Sequence, residues 1–189
     1  MTIKPSTLSF SLCIPPLLSV YAIYCWYDPA TWFTFHPTSL LFSFLFSMPI
    51  GLLLETGAKR ASTHYYHAVV NGIAVLAAGF GYYVIYSNKE LAGKAHVTSW
   101  HAVLGIVALI LLGIQVGIAI TKVSPFDTPR DRRPWKDMHL KLGLLVWLAG
   151  CTTAFTGFYK TTYSTSALVA ATAAVLTAAT IIARTRISW

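Results

Sequence analysis

The sequence predicts an all-α integral membrane protein, a six-transmembrane-helix bundle forming a single domain over residues 1–189, and three observations lead there. Of the 189 residues, 56% are hydrophobic and only 11% are charged. A soluble domain of this size carries about 25% charged residues to cover its surface, so a water-soluble enzyme is excluded. Apolar runs of about 20 residues, enough to cross about 30 Å of hydrocarbon at 1.5 Å per residue, occur six times: residues 8–26, 35–54, 66–86, 100–120, 139–158 and 163–183. The chain has 14 Lys and Arg against 6 Asp and Glu, and all the cations but Lys141, just inside the fifth run, fall outside these runs, where they set topology instead of forming a basic face for nucleic acid.

Taken in order, the first run follows Lys4 without a small-residue cleavage site and does not read as a signal peptide, so residue 1 is expected in the mature chain. Its Pro15 and Pro16, and Pro49 in the second run, are expected to kink their helices, which neighbours in a bundle tolerate by satisfying the freed carbonyls. The third, fourth and fifth runs hold nine of the twelve glycines. Gly113 and Gly117 fit close small-xxx-small helix packing, whereas Gly143, Gly150 and Gly157 recur every two turns and share one face, giving either packing or clearance for a flat cofactor. The sixth run is rich in Ala and Thr and has no histidine. Cys13, Cys25 and Cys151 form no CxxC pair and no CxxCH haem attachment. Connections between runs are short, as in one up-and-down bundle.

Orientation follows from the cations. Lys4, Lys59, Arg60, Lys122, Arg130, Arg132, Arg133, Lys136, Arg184 and Arg186 fall on one side, against Lys89, Lys94 and Lys160 on the other. Cytosolic loops carry the Lys and Arg excess, so both termini are expected in the cytosol.

Four of the six histidines, His36, His67, His101 and His139, lie near the predicted starts of the second to fifth helices. Successive helices are antiparallel, so His36 and His101 belong near the lumenal or extracellular face and His67 and His139 near the cytosolic face. An intramembrane imidazole is costly and points to function. Two facing imidazoles at each level supply the two axial ligands of a non-covalent b-type haem, whereas zinc would want three or four protein ligands and no thiolate or carboxylate lies near either pair. The expected cofactors are therefore two b haems, paired His36/His101 and His67/His139, in the central four helices. His64 shares the face of His67 but lies a turn closer to water, and His96 belongs to the polar stretch 88–99. Both are expected to be interfacial, with substrate contact or proton transfer as the alternative. An iron with histidine on both faces has no open position and passes single electrons.

These residues resemble the cytochrome b561 family of six-helix transmembrane electron-transfer proteins, and most of all its short branch. The resemblance rests on His36-Pro37, on Lys59-Arg60 leading to His67, on Gly93-Lys94-Ala95-His96 followed by Trp100-His101, and on His139 after a basic loop. It covers residues 35–159. The longer Arg-rich stretch after helix two and the lumenal Ser-Leu-His-Ser-Trp motif of the ascorbate-using branch are missing. What it implies is an ascorbate-dependent reductase that passes electrons from cytosolic ascorbate to monodehydroascorbate or ferric iron across the membrane. Arg133, with Lys59, Arg60 and Lys136 in support, would hold the ascorbate anion, and His64 would accept the proton released on oxidation. The resemblance also implies a lipid-embedded, multi-pass protein of an endomembrane, such as endoplasmic reticulum or vesicle, rather than the plasma membrane, with room for a homodimer. A non-redox transporter using a histidine relay is the competing reading; it would place histidines near the midplane beside broken helices. A membrane scaffold is the other.

Overall fold

The computed structural model describes residues 16, 17, 19–21, 23, 24, 27–56, 61–123 and 129–159, with backbone alone at 53, 55, 56, 61–63 and 129–133. The sixth apolar run and most of the first lie outside these, as do Lys59 and Arg60; Arg133 is described by backbone alone. After a short 3₁₀ turn, Trp32–Thr34, come α1 (Phe35–Leu41), a π-helical stretch (Phe42–Ser47), α2 (Met48–Thr56), α3 (Ala61–Leu91), α4 (Trp100–Lys122) and α5 (Pro129–Tyr159). Among the described residues, four segments are long and apolar enough to cross a membrane: Trp32–Leu52, His64–Leu91, Trp100–Lys122 and Pro134–Tyr159. Large apolar side chains such as Leu76, Ile110, Ile114 and Leu145 are exposed on their outward faces, as a lipid solvent requires.

The helices pair as two antiparallel hairpins. The rod formed by α1, the π stretch and α2 packs along α3, and α4 packs along α5. Contact between the hairpins is concentrated where α5 meets the π stretch and α1. There Phe44, Leu112, Val146, Trp147 and Cys151 are buried in the core of the bundle.

The expected kink at Pro49 takes the form of the π stretch just before it. Met48 donates its N–H to the carbonyl of Ser43, five residues back. The next bond in that pattern would run from residue 49 to Phe44, but proline has no N–H to give. The buried indole of Trp147 fills the place, donating Nε1–H to the Phe44 carbonyl at 2.9 Å. A proline on one hairpin thus creates the acceptor that a tryptophan on the other satisfies. Within the first hairpin, Ser43 and Ser47 sit one turn apart and donate to the Ala74 and Val70 carbonyls of α3, each at 2.8 Å. Such interhelical hydrogen bonds contribute about 0.6–2 kcal/mol each in lipid.

Two helices outrun their apolar segments. The third starts at Ala61 and ends at Leu91 instead of spanning 66–86, and the fifth starts ten residues ahead of His139. Hydropathy detects only the part in hydrocarbon; polar residues continue the helix into water because backbone bonds propagate cheaply once a helix exists. His67 and His139 consequently lie well inside their helices, at the depth where the apolar part begins. Gly113 and Gly117 also depart from expectation: a Cβ at either would meet nothing within 4 Å among the described residues. That face of α4 looks away from the other described helices.

Candidate functional site

Each hairpin contributes one histidine to each of two levels. At the upper level His36 of α1 faces His101 of α4, with ring centroids 6.2 Å apart and planes at 89°. At the lower level His67 of α3 faces His139 of α5, at 6.4 Å and 71°. Three of the four rings are fixed from behind by a carbonyl of the same hairpin. The Nδ1 atoms of His36, His67 and His101 lie 2.9 Å from the carbonyls of Gly81, Gly51 and Thr153 respectively. An Nδ1–H donated to a carbonyl leaves Nε2 as the ligating nitrogen and holds the ring in one orientation.

The spacing of the rings fits one metal atom between them. With an iron–nitrogen bond of about 2.0 Å, the centroid of an axial imidazole lies about 3.1–3.2 Å from the metal, so two axial rings stand about 6.3 Å apart. Both observed separations agree with this to within about 0.1 Å. No group of three or more His, Cys, Asp or Glu stands together among the described residues; two imidazoles per level would suit the two axial positions of a b haem, whereas a zinc site would want three or four protein ligands. The levels are far apart: His36 and Gly51 are separated by 15 residues, His67 and Gly81 by 14, and His139 and Thr153 by 14. At 1.5 Å per residue all three give about 21–22 Å.

Glycines shape both levels. A Cβ on Gly157 would lie 3.0 Å from Cε1 of His101, one on Gly81 3.0 Å from Leu40 and 3.3 Å from the His36 carbonyl, and one on Gly150 would collide with the Phe44 ring. The seven-residue glycine repeat of α5 therefore faces the other helices along its length. Gly150 and Gly157 line an apolar cavity of about 310 Å³ at the upper level, together with His36, Leu40, His101 and Gly105. Carbon–hydrogen walls and missing side chains are what a flat macrocycle needs on either side of its ligands.

The connection between α3 and α4 forms the rim of that cavity. Gly93, at φ +59°, ends α3: Lys94 donates to the Lys89 carbonyl and Gly93 to Glu90, the paired bonds of a Schellman cap. Ser99 caps α4, its Oγ accepting from Ala102 N at 3.3 Å. Between them Val97 holds φ +51°, an outlying conformation for a β-branched residue. His96 is only partly exposed; its ring stacks on Tyr86 at 4.6 Å, its Nε2 lies 2.6 Å from Glu90, and it lines the cavity with Lys89 and Val97. The interfacial position expected for His96 is thus one of partial exposure, with the ring stacked on Tyr86 and Nε2 beside Glu90.

Of the residues expected to meet the donor, only His64 and Lys136 have described side chains. His64 and Lys136 are exposed, and Lys122 stands 5.3 Å from the centre of the Trp135 ring. Lys59, Arg60 and the Arg133 side chain lie outside the described residues. Sequence reasoning passed over Asn71 and Gln115, whose carboxamides reach the lower histidines' own carbonyls. Gln115 had a signal available: it is the only polar residue between His101 and Thr121.

The family model described as eukaryotic cytochrome b561 matches residues 35–165. The transmembrane reductase CYB561D2 of Bos taurus is 34% identical over 133 residues, 62% of this chain and 57% of the bovine protein. The Homo sapiens protein of the same name is 31% identical over 154 residues, 74% of this chain and 66% of its own length. In Mus musculus the figures are 32% over 143 residues, 68% and 61%. The matched stretch thus spans somewhat under two thirds of these relatives. With the family model covering the paired histidines and all but the first three residues of the four described spans, the chain belongs to the cytochrome b561 family.

Proposed function

We propose that this chain is a dihaem transmembrane reductase that takes single electrons on the cytosolic side, at the His67/His139 level, and delivers them on the opposite side, at the His36/His101 level. One observation carries the reading: two imidazole pairs, each spaced for one metal atom, stand about 21 Å apart along the helices. A haem held by histidine on both faces supplies one-electron transfer and leaves no coordination site for oxygen or substrate.

The protein's own residues do the rest. The carbonyls of Gly51, Gly81 and Thr153 hold three imidazoles in one tautomer. The buried slab of Phe44, Leu112 and Trp147 keeps water out of the space between the levels. Ascorbate is the proposed donor, a monoanion whose oxidation releases a proton. Arg133, with Lys59, Arg60 and Lys136, would bind it by charge and paired N–H donors, and His64 would accept its proton. The acceptor, monodehydroascorbate or a ferric complex, would approach the rim formed by Lys89, His96 and Val97. The relatives' name, transmembrane reductase, supports this reading. Where the cytosol is negative, outward electron movement gains about 2.3 kcal/mol per 100 mV if the whole field is crossed.

The test is transfer across a sealed membrane. Purified protein carrying two haems, reconstituted in oriented vesicles loaded with ascorbate on the cytosolic-equivalent side, should reduce an external membrane-impermeant ferric complex. Full haem loading with no transfer would refute the reading.

A further inference from the structure

The two lower histidines share a feature that the upper pair lacks. Asn71, one turn after His67, donates Nδ2–H to the His67 carbonyl at 2.8 Å, and the same nitrogen stands 3.3 Å from His67 Nδ1. Gln115 of α4 donates Nε2–H to the His139 carbonyl at 2.8 Å. A glycine makes room for each amide. A Cβ on Gly51 would collide with Asn71 Nδ2, and one on Gly143 would lie 2.8 Å from Gln115 Nε2. Around the upper pair the neighbours are acceptors: the Gly81 and Thr153 carbonyls, and Thr156 Oγ1, which donates its own proton to Thr153 and stands 3.3 Å from His101 Nδ1.

We propose that Asn71 and Gln115 are positioning residues that tune the lower haem site, making it easier to reduce than its imidazoles alone would. The inference rests on the reading of His67 and His139 as haem ligands. An iron with a porphyrin dianion and two neutral imidazoles carries a net positive charge when ferric and none when ferrous. The positive end of a carboxamide dipole therefore costs the ferric form more. Asn71 sets that end against both the ring nitrogen and the peptide carbonyl of His67, and Gln115 sets it against the first turn after His139. Burying amides among apolar helices carries a cost unless they are bonded, and Gln115 Oε1 is buried with no hydrogen-bond partner among the described residues. Interhelical adhesion alone would be served better by an amide with both ends satisfied. A site that must take electrons from a mild reductant gains directly from easier reduction.

The test is optical redox titration of the purified two-haem protein, in which His67→Ala identifies the lower component by removing it. Asn71→Leu and Gln115→Met keep side-chain volume and delete the dipole. Each should retain two haems, lower the ferrous-to-ferric ratio of the lower component by about three- to tenfold at a fixed poise, the equivalent of one hydrogen bond, and leave the upper component unmoved. Two further variants serve if either protein fails to accumulate. Asn71→Thr, whose hydroxyl can donate to the same carbonyl, should stay within about twofold of the parent. Gly143→Ala, which displaces the Gln115 amide, should shift the lower component as Gln115→Met does. Two components that both stay in place in Asn71→Leu and Gln115→Met, or that move together, overturn the inference and leave the amides as adhesion between helices. Retention of both components in His67→Ala would instead overturn the ligand assignment beneath it.

Discussion

A methyl group at Gly157 is expected to loosen the upper haem site and nothing else. The added Cβ would stand 3.0 Å from His101 Cε1 and 3.3 Å from Nδ1, where carbon atoms rest at about 3.5–4.0 Å. The ring must retreat by a few tenths of an ångström. Thr153 lies one turn before Gly157 on the same helix, so the retreat also stretches the Nδ1–Thr153 bond from its 2.9 Å. At about 3.2–3.4 Å that contact is long for a hydrogen bond, a loss of about 0.5–1 kcal/mol. Gly157→Ala should therefore weaken haem retention at this level about two- to fivefold, and Gly157→Val, with two more methyl groups, should abolish it. The assay is haem per polypeptide after gel filtration, read as pyridine haemochrome, with absorption spectra of each state. Gly113→Ala is the matched control, because nothing described lies within 4 Å of its Cβ, and it should keep two haems. Two fully retained haems with parental spectra in Gly157→Val would refute the placement of His101 as a ligand.

Other outcomes follow from the same geometry. Replacing any one of His36, His67, His101 or His139 by Ala should leave one haem per chain by the same measurement, whereas His96→Gln should keep both. Trp147→Phe deletes the donor to the Phe44 carbonyl and should lower stability in detergent by about 1–3 kcal/mol, the penalty of an unsatisfied buried acceptor, seen as a lower denaturation midpoint. Arg133→Ala should raise the ascorbate concentration needed for haem reduction while reduction by dithionite stays unchanged; equal response to ascorbate in the mutant would move the donor site elsewhere.

The four membrane-spanning helices and the meeting of their histidines were legible because both depend on simple periodicities. Twenty apolar residues define a span, and alternation of direction decides which histidines share a level. Three other features depended on contacts between segments distant in sequence. The π stretch is a local response to Pro49, but its missing hydrogen bond is completed by Trp147, 103 positions from Phe44. The glycine repeat of α5 showed a common face without saying whether side chains or a cofactor would fill it. Gly113 and Gly117 carried the motif expected at a helix contact and yet face no described neighbour, because the motif permits close approach without compelling it. The basic residues stay undecided for another reason: charge tells which side of the membrane a loop occupies, while a binding geometry depends on loop conformation.

The two-hairpin plan bears on how the molecule is put together. The helices of the first hairpin are laced by serine–carbonyl bonds and those of the second by the bonds of Gln115 and His101 to α5 carbonyls, so each can enter the membrane and close by itself. Between hairpins, direct contact among the described residues centres on the belt where Phe44, Gly150 and Trp147 meet, and above and below it the facing groups are histidines. A prosthetic group ligated by one imidazole from each half would then serve as mortar, joining parts that arrive prefabricated. Cells starved of haem synthesis should accordingly accumulate inserted chains whose hairpins are individually protected from protease but come apart in mild detergent, and supplying haem afterwards should lock them without new translation.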